Sequence, residues 1–235
     1  MKHFLKLALL IVLFVGCTTP GKEIASNQDP VPVEPPPTNW TKGELSTDGA
    51  PTKGEFTVKF LTTAGDFTMH VHRDWSPRGA ERFYQLIKNR YYDGAPFYRV
   101  LPKFIVQFGM CGDAKGSDYW DQTFLDEPVV KSNTFGTVSY AKASENTRST
   151  QLFINYNDNT GSLDSQGFAA FAEVVEGMSS VININAEYTD KPKQPSLKLS
   201  GSKYTAKRFP RIDYIIRTTM TEGPPQIEQA KVDDE

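Results

Sequence analysis

The residue whose placement most suggests chemistry is Arg99, which lies in the segment FYRVLPKFIVQFG at positions 97–109. Apolar residues flank this arginine, and arginine is seldom buried without a partner. Two interpretations follow: an arginine held at the edge of a pocket, or an outward-facing strand arginine. The segment alone does not decide between them. A guanidinium keeps its charge at physiological pH, so the chemistry that it offers is hydrogen-bond donation and charge stabilisation.

Other familiar catalytic patterns are absent from the sequence. It contains no Gly-x-Ser-x-Gly turn, no Gly-rich phosphate loop ending in Lys-Ser/Thr, and no His-Glu-x-x-His. With 3 histidines and 2 cysteines, a disulfide framework is excluded. His70 and His72 alternate along a predicted strand and are expected on its solvated face. This spacing can begin a metal site. The third histidine, His3, lies in the segment 1–16 that we interpret below as a removed signal peptide, so the mature chain has no third histidine and we predict no metal and no cofactor.

The composition is that of a soluble globular protein, with 38% hydrophobic and 23% charged residues. Lys and Arg number 26 against 28 Asp and Glu, which leaves a formal net charge of −2. A phosphate-binding surface needs a basic surplus that this chain lacks. We therefore expect no nucleic acid among its partners.

The amino terminus has the pattern of an export signal. Lys2 and Lys6 precede an apolar stretch at 7–16 that ends at Cys17. Ten residues are too few to span a bilayer, which needs about 20 in a helix, so we interpret 1–16 as a signal peptide. The sequence LFVGC at 13–17 also resembles a bacterial lipobox, which predicts lipidation of Cys17 and a membrane-anchored protein at the periplasmic or extracellular face of the cell envelope. The alternative is an ordinary signal peptide with an incidental cysteine.

A proline-rich segment separates this signal from the rest of the chain. Seven of the 16 prolines lie between residues 18 and 53, among Gly, Ser, Thr and acidic residues. We interpret residues 17–53 as the lipidated cysteine and a tether. The three consecutive prolines at 35–37 could instead dock on a partner. A domain is expected at 54–220, followed by an acidic disordered tail at 221–235.

The elements that must position Arg99 are mostly strands. Apolar residues alternate with polar ones at 56–60 and again at 67–71, which predicts a β-hairpin with one buried face. Ser76 and Pro77 are typical of a helix start, and helical spacing continues for about thirteen residues. Short apolar runs follow, interrupted by one more helical pattern at 178–186. Many short strands with two helices predict a mainly β fold, a closed β-barrel with helical caps.

Three segments in order carry a family resemblance. FYRVLPKFIVQ at 97–107, NTRSTQLFI at 146–154, and LD at 163–164 with FAEVVEGM at 171–178 resemble motifs of the cyclophilin family of peptidyl-prolyl cis/trans isomerases. The resemblance covers about residues 54–220. It implies an eight-stranded antiparallel closed barrel capped by two helices, which agrees with the element pattern.

The resemblance also implies roles for individual residues. Arg99 matches the family's catalytic arginine, and Gln107 matches the glutamine that hydrogen-bonds the substrate beside it. Three departures stand out, because Lys103 replaces a usual Gly, Tyr98 replaces a common His, and Ser162 stands where many members carry Trp. The matches to substrate-binding positions are Phe104, Ile105, Lys142 through its backbone, Gln151, Phe153, Leu163 and Phe168.

The implied activity is prolyl isomerisation, and it explains the missing motifs. No bond is made or broken, so the catalyst needs an apolar grip on the proline ring and one donor near the prolyl nitrogen. We expect a monomeric isomerase that acts on proline-containing polypeptides during the folding of exported proteins. Two alternatives stay open. One is a non-catalytic chaperone or scaffold that uses the same groove, and the other is a barrel lipoprotein that binds a small ligand.

Overall fold

A computed structural model describes residues 45–223 of the chain. In this part the protein forms eight β-strands, all paired antiparallel in one sheet. The strands are β1 Glu55–Thr62, β2 Phe67–His72, β3 Arg99–Leu101, β4 Ile105–Phe108, β5 Thr137–Tyr140, β6 Leu152–Asn155, β7 Ala170–Glu176 and β8 Ile215–Glu222.

The sheet follows the spatial order β3-β4-β6-β5-β7-β2-β1-β8. This confirms the prediction of a mainly β, eight-stranded antiparallel fold. The strand ladder itself is open, because β3 and β8 are its two ends. They approach each other through an isolated bridge between Pro96 and Tyr214, supported by the hydrogen bond from Phe97 N–H to the Asp213 carbonyl, 2.9 Å. The predicted closure of the barrel is therefore not confirmed by the strand pairing.

The hairpin of β1 and β2 shows why the alternating pattern was informative. The β1 residues Phe56, Val58 and Phe60 are fully buried, as are Met69 and Val71 on β2. Side chains alternate between the two faces of a strand, so these residues cover one side of the sheet and build its core. The hairpin prediction is confirmed.

His70 and His72 lie on the face of β2 opposite the core, as predicted, but the expectation that this face is solvated is wrong. The side chains of His70 and His72 are only 11% and 12% exposed, because Trp75 stacks on the His72 ring with centroids 3.8 Å apart. Glu173 of β7 lies 3.3 Å from His72 Nε2. Burial lowers the pKa of the His72 imidazole, and the neighbouring His70 acts in the same direction, whereas Glu173 and Glu55 oppose it.

The described residues contain more helices than the sequence predicted. The first predicted helix is confirmed as α1, whereas the second ends at Ile182 rather than at residue 186. Four other helices were not predicted. The helices are α1 Pro77–Lys88, α2 Ala114–Trp120, α3 Thr160–Leu163, α4 Met178–Ile182, α5 Gln194–Ser200 and α6 Ser202–Arg208, with a 3₁₀ turn at Asp164–Gln166.

A distant carboxylate caps the start of α1. Ser76 occupies the N-cap position, but its hydroxyl donates to Glu127 instead of accepting from the helix backbone. Glu127 accepts from the first free backbone amides of the helix, Arg78 N–H at 2.7 Å and Gly79 N–H at 3.1 Å. The same carboxylate pairs at 3.2 Å with the guanidinium of Arg148, whose side chain is 2% exposed. Glu127 thus satisfies a helix terminus and a buried charge together.

Residues that the sequence assigned to the tether pack against α1. Leu45 is buried in the main core, and its carbonyl accepts from Arg82 at 2.8 Å. Asp48 pairs with Arg78 at 2.6 Å.

The predicted signal peptide, Cys17 and residues up to 44 lie outside the described residues, as does the predicted tail from residue 224. The tail prediction is wrong for its first two residues, because Thr221 and Glu222 belong to β8, which pairs with β1. In the part that is described, no helix combines the length and the apolar character needed to cross a bilayer.

We predict that Glu127→Gln lowers the free energy of unfolding by about 2 to 4 kcal/mol, because it removes a charged helix cap and one of the two carboxylates that pair with the buried Arg148 guanidinium, the other being Asp126 at 3.2 Å. Urea denaturation measures this change. Glu145→Gln, at an exposed position, serves as the control and is expected to change the stability by less than about 0.5 kcal/mol. Equal stabilities of the two variants would show that the cap contributes nothing.

Candidate active site

A row of directly opposite residues crosses three adjacent strands. Arg99 on β3 pairs in register with Gln107 on β4, and Gln107 pairs with Phe153 on β6. Directly opposite residues share a face of the sheet, and this is the face away from the core, since Val100 and Val106 point inward. Arg99 therefore faces outward, but onto a surface that neighbouring side chains shape into a groove.

Hydrogen bonds hold the polar end of this row. Arg99 Nη1 donates to Gln107 Oε1 at 3.1 Å, and Gln107 Nε2 donates to Gln151 Oε1 at 3.2 Å. The Tyr98 hydroxyl also donates to Gln151 Oε1. Burial raises the pKa of Tyr98 far above its usual range, so its hydroxyl stays protonated and remains a donor. One guanidinium is thus oriented by two glutamines, which leaves its other N–H groups available to a ligand.

An apolar cluster lies at the other end of the row, separate from the main core. Ile105, Phe153 and Leu163 are its buried members, and Phe104, Ala141 and Phe168 pack against them partly exposed. The rings of Phe153 and Phe168 meet edge to face with centroids 5.6 Å apart. The structure therefore brings together every apolar residue that the sequence matched to a proline pocket, and it adds Ala141.

Lys142 borders this cluster. Its Nζ lies 5.7 Å from the centre of the Phe168 ring and pairs with Asp126 at 2.7 Å. Within the described residues, the backbone of Lys142 makes no hydrogen bond, whereas its neighbour Ala141 donates to the Gln151 carbonyl at 2.9 Å. The main chain at Lys142 is therefore available to pair with an extended peptide.

A buried asparagine network beneath the cluster was missed by the sequence analysis. The Asn155 amide donates to Thr137 Oγ1 at 3.0 Å, and Asn159 donates to Asn155 Oδ1 at 2.8 Å. Asn159 also donates to the Phe104 carbonyl at 2.9 Å. Asn133 donates to the Phe168 carbonyl at 2.7 Å, so the network positions two aromatic residues of the pocket. No local sequence pattern marks these contacts, which join residues up to 55 positions apart.

Asp164 ties this network to the turn that carries Leu163. Its carboxylate accepts from both the backbone N–H and the side-chain amide of Asn133, at 3.0 and 2.8 Å. Burial acts to raise the pKa of Asp164, but these hydrogen bonds outweigh it and lower the pKa below the usual carboxyl range. The turn is thus held by an ionised carboxylate at neutral pH.

Two of the family departures have a clear local setting. Lys103 adopts φ +66°, a left-handed conformation in which glycine is favoured, so a lysine there costs about 1 kcal/mol. Ser162 is exposed and donates to the Asn159 carbonyl at 3.1 Å. A serine at this position leaves the rim beside Leu163 without the large ring that a tryptophan would supply.

A second missed feature lies beside Arg99. The Thr189 carbonyl accepts from Val100 N–H at 3.0 Å, which covers the edge of β3. Leu197 of α5 and Ile212 pack against Tyr98 in a small separate apolar cluster. A depression of about 350 Å³ beside Arg99 is lined by Asp190, Pro192, Lys193, Gln194 and Pro195 with Tyr98. The segment between α4 and β8 therefore forms one wall of the groove.

The arrangement combines a fixed cationic donor with an apolar recess. It can stabilise a developing charge and hold an apolar group of matching shape. No residue of the row is a nucleophile activated by a neighbouring base. The lone described thiol, Cys111, is buried, and burial raises its pKa to about 12. Among the described residues, the side chains that could hold a metal ion together are Glu55, His70 and His72, on strands other than those of the row.

Comparison with known proteins gives the family. The profile of the family described as cyclophilin type peptidyl-prolyl cis-trans isomerase/CLD matches residues 57–202. Two solved structures of one Cryptosporidium parvum cyclophilin-type isomerase share the fold, with TM-scores of 0.51 and 0.52 at 20% and 21% identity. They align over 72% and 70% of this chain and over 99% and 98% of their own. The second was solved in the presence of the dipeptide Ala-Pro.

Curated relatives agree with this match. The peptidyl-prolyl cis-trans isomerase ppi1 of Schizosaccharomyces pombe is 34% identical over 132 residues, which cover 54% of this chain and 83% of that protein. The isomerase CYP65 of Arabidopsis thaliana is 32% identical over 142 residues, or 57% of this chain, but the match spans only 24% of that longer protein. The chain belongs to the cyclophilin-type peptidyl-prolyl cis-trans isomerase family.

Proposed function

We propose that this protein catalyses the cis/trans isomerisation of prolyl peptide bonds, as a monomer that acts on proline-containing polypeptides. The observation that carries the proposal is the row in which Gln107 orients the Arg99 guanidinium beside the apolar cluster around Phe153. This arrangement fits a proline ring next to a donor for its nitrogen. The Ala-Pro dipeptide present with the Cryptosporidium parvum structure supports the same substrate class.

The reaction makes modest demands on the catalyst. A peptide bond resists rotation by about 18 to 20 kcal/mol because the nitrogen lone pair is delocalised into the carbonyl, and an X–Pro bond needs tens to hundreds of seconds to isomerise unaided. In the twisted transition state the lone pair localises on the nitrogen. A donor placed there stabilises this state more than either planar one, which is the condition for catalysis.

Arg99 is the group that meets this requirement. Its charge is permanent, and its bond to Gln107 holds it before the substrate arrives, so little reorganisation accompanies the reaction. Phe104, Phe153 and Leu163 supply the apolar surface that grips the ring. Gln151 accepts a hydrogen bond from Gln107 and so orients it. The Phe168 ring packs edge to face against the Phe153 ring. The free main chain at Lys142 is suited to hold the substrate backbone.

The proposed place of action is the cell envelope. The support is the pattern of residues 1–17, in which a basic start and an apolar run end at Cys17. Acylation of this cysteine would anchor the protein in a bacterial membrane, and the proline-rich segment would hold the domain away from the lipid surface. The clients would then be exported proteins that fold outside the cytoplasm.

A non-catalytic chaperone or scaffold is the competing proposal. The same groove would bind proline-containing peptides, and only turnover separates the two functions. The oriented Arg99 favours catalysis, because a site that only binds gains nothing from a donor directed at the prolyl nitrogen.

We predict that Arg99→Ala lowers kcat/KM for a proline tetrapeptide by about 10² to 10³, the usual loss when one pre-organised donor to a transition state is removed. The fold is expected to remain, because the apolar residues that hold β3 point to the other face of the sheet. The measurement is a coupled isomerisation assay, with circular dichroism to check the fold.

Arg217→Ala is the matched control, since Arg217 is an exposed arginine on β8. Its activity is expected to stay within about twofold of wild type, the range of a surface substitution remote from the chemistry. Near-normal activity of a folded Arg99→Ala protein would contradict the assigned mechanism. Peptide binding by the wild type without any turnover would favour the chaperone or scaffold.

We predict that the mature protein begins at an acylated Cys17. Mass spectrometry of the amino-terminal peptide is expected to show a lipid-modified cysteine, and Cys17→Ser is expected to shift the protein from the membrane to the soluble envelope fraction. An unmodified amino terminus at another residue would mean an ordinary signal peptide. Isomerase activity of the domain is independent of this result.

A further inference from the structure

Two histidines and two carboxylates meet on the outer face of three neighbouring strands, away from the row of Arg99. His70 and His72 follow each other at i and i+2 on β2, so both point to the face opposite the core. Glu55 on β1 lies directly across from His72, and Glu173 on β7 lies directly across from His70. The register of β1, β2 and β7 thus brings Glu55 and Glu173 to the same two histidines, although these glutamates are 118 positions apart in the sequence.

The potential ligand atoms are close together. His70 Nε2 lies 3.2 Å from Glu55 Oε2, and His72 Nδ1 lies 3.6 Å from Glu55 Oε1. One atom from each of these three residues can be chosen so that all lie within 4.8 Å of one another. For tetrahedral coordination with bonds of about 2.0 to 2.1 Å, neighbouring ligand atoms are about 3.3 Å apart. The separations of 3.2 and 3.6 Å are close to this value but run to the two different oxygens of Glu55, so small side-chain rotations would direct one oxygen and both ring nitrogens at a single ion.

Glu173 gives the cluster the second feature of a metal site. Its Oε1 lies 3.3 Å from His72 Nε2, the ring nitrogen opposite the one that faces Glu55. Histidines that bind metals usually donate their remaining N–H to a carboxylate, which selects the tautomer and fixes the ring. Nδ1 of His72 is therefore the nitrogen left free to bind a metal.

Packing restricts the two rings further. The His70 and His72 ring centres are 4.1 Å apart, and Trp75 stacks on the far side of His72 with an interplanar angle of 13°. Both histidines are largely covered, whereas the Glu55 side chain is 41% exposed. The cluster is consequently rigid on the histidine side and open to solvent on the glutamate side, which provides a route of entry for an ion and room for a water ligand.

In contrast to the sequence-based prediction of no metal, we propose that Glu55, His70 and His72 bind one divalent transition metal ion of the Zn²⁺ class, with Glu173 orienting His72 and a water completing the tetrahedron. Two imidazoles with one carboxylate suit this class, whereas Mg²⁺ and Ca²⁺ prefer all-oxygen ligands. The ion would link the first residue of β1, Glu55, to the end of β2, where His70 and His72 lie. The inference stands independently of the isomerase proposal, since it uses other strands and other residues.

The test is titration of the purified full chain with Zn²⁺ by isothermal calorimetry, and with Co²⁺ by absorption spectroscopy. We expect one Zn²⁺ per chain, no measurable heat with Mg²⁺, and the intense visible bands of a four-coordinate Co²⁺ site. His72→Ala is expected to weaken Zn²⁺ binding by more than about 100-fold, and Glu173→Gln by about 10- to 100-fold. Glu55→Gln changes an exposed side chain, so it tests a ligand with little risk to folding.

One variant serves as the control. Glu176→Gln alters an exposed carboxylate on the same strand as Glu173. It is expected to bind Zn²⁺ within about twofold of wild type, as a surface substitution outside the site does. Absence of Zn²⁺ binding to the wild type would overturn the proposal, as would unchanged affinity in a folded Glu55→Gln protein. Loss of binding in Glu176→Gln would place the ion elsewhere and equally overturn it.

Discussion

The register of three antiparallel strands is the constraint on which the groove depends. Arg99, Gln107 and Phe153 lie side by side only because β3, β4 and β6 pair at this alignment. A slip of one residue in β3 would turn Arg99 inward and Val100 outward, since alternate residues point to opposite faces. The buried inward positions resist such a slip, so the core that stabilises the sheet also fixes the orientation of the groove.

Beneath the apolar cluster of the groove lies a network of hydrogen-bonded asparagines. Core packing alone does not position the loops that these asparagines hold. Asn133 donates to the Phe168 carbonyl and Asn159 donates to the Phe104 carbonyl, while Asn155 accepts from Asn159 and holds it in place. Buried amides cost free energy unless their hydrogen bonds are complete, so each network member depends on the others. Rigid placement of the pocket therefore rests on asparagines that contact no substrate in our account.

The sequence was most informative where local patterns dictate structure. Alternation revealed β1 and β2, Ser76 and Pro77 marked α1, and three motifs placed the residues around Arg99. It was uninformative where distant segments meet. Glu127 caps a helix that begins about fifty residues earlier, and Glu173 covers His72 from 101 positions away, so the histidines expected in solvent are largely buried. The helices α5 and α6 were missed because each is only 7 residues long and Gly201 separates them, although Pro195 in the first turn of α5 is a typical start signal.

Exchange spectroscopy by nuclear magnetic resonance tests the central claim most directly. A proline-containing peptide is mixed with a small molar fraction of the protein, and the interconversion of its cis and trans signals is followed. Our account predicts exchange cross-peaks on the second timescale, where the free peptide needs tens to hundreds of seconds. Peptide signals that broaden on binding while cis and trans exchange at the uncatalysed rate would contradict it.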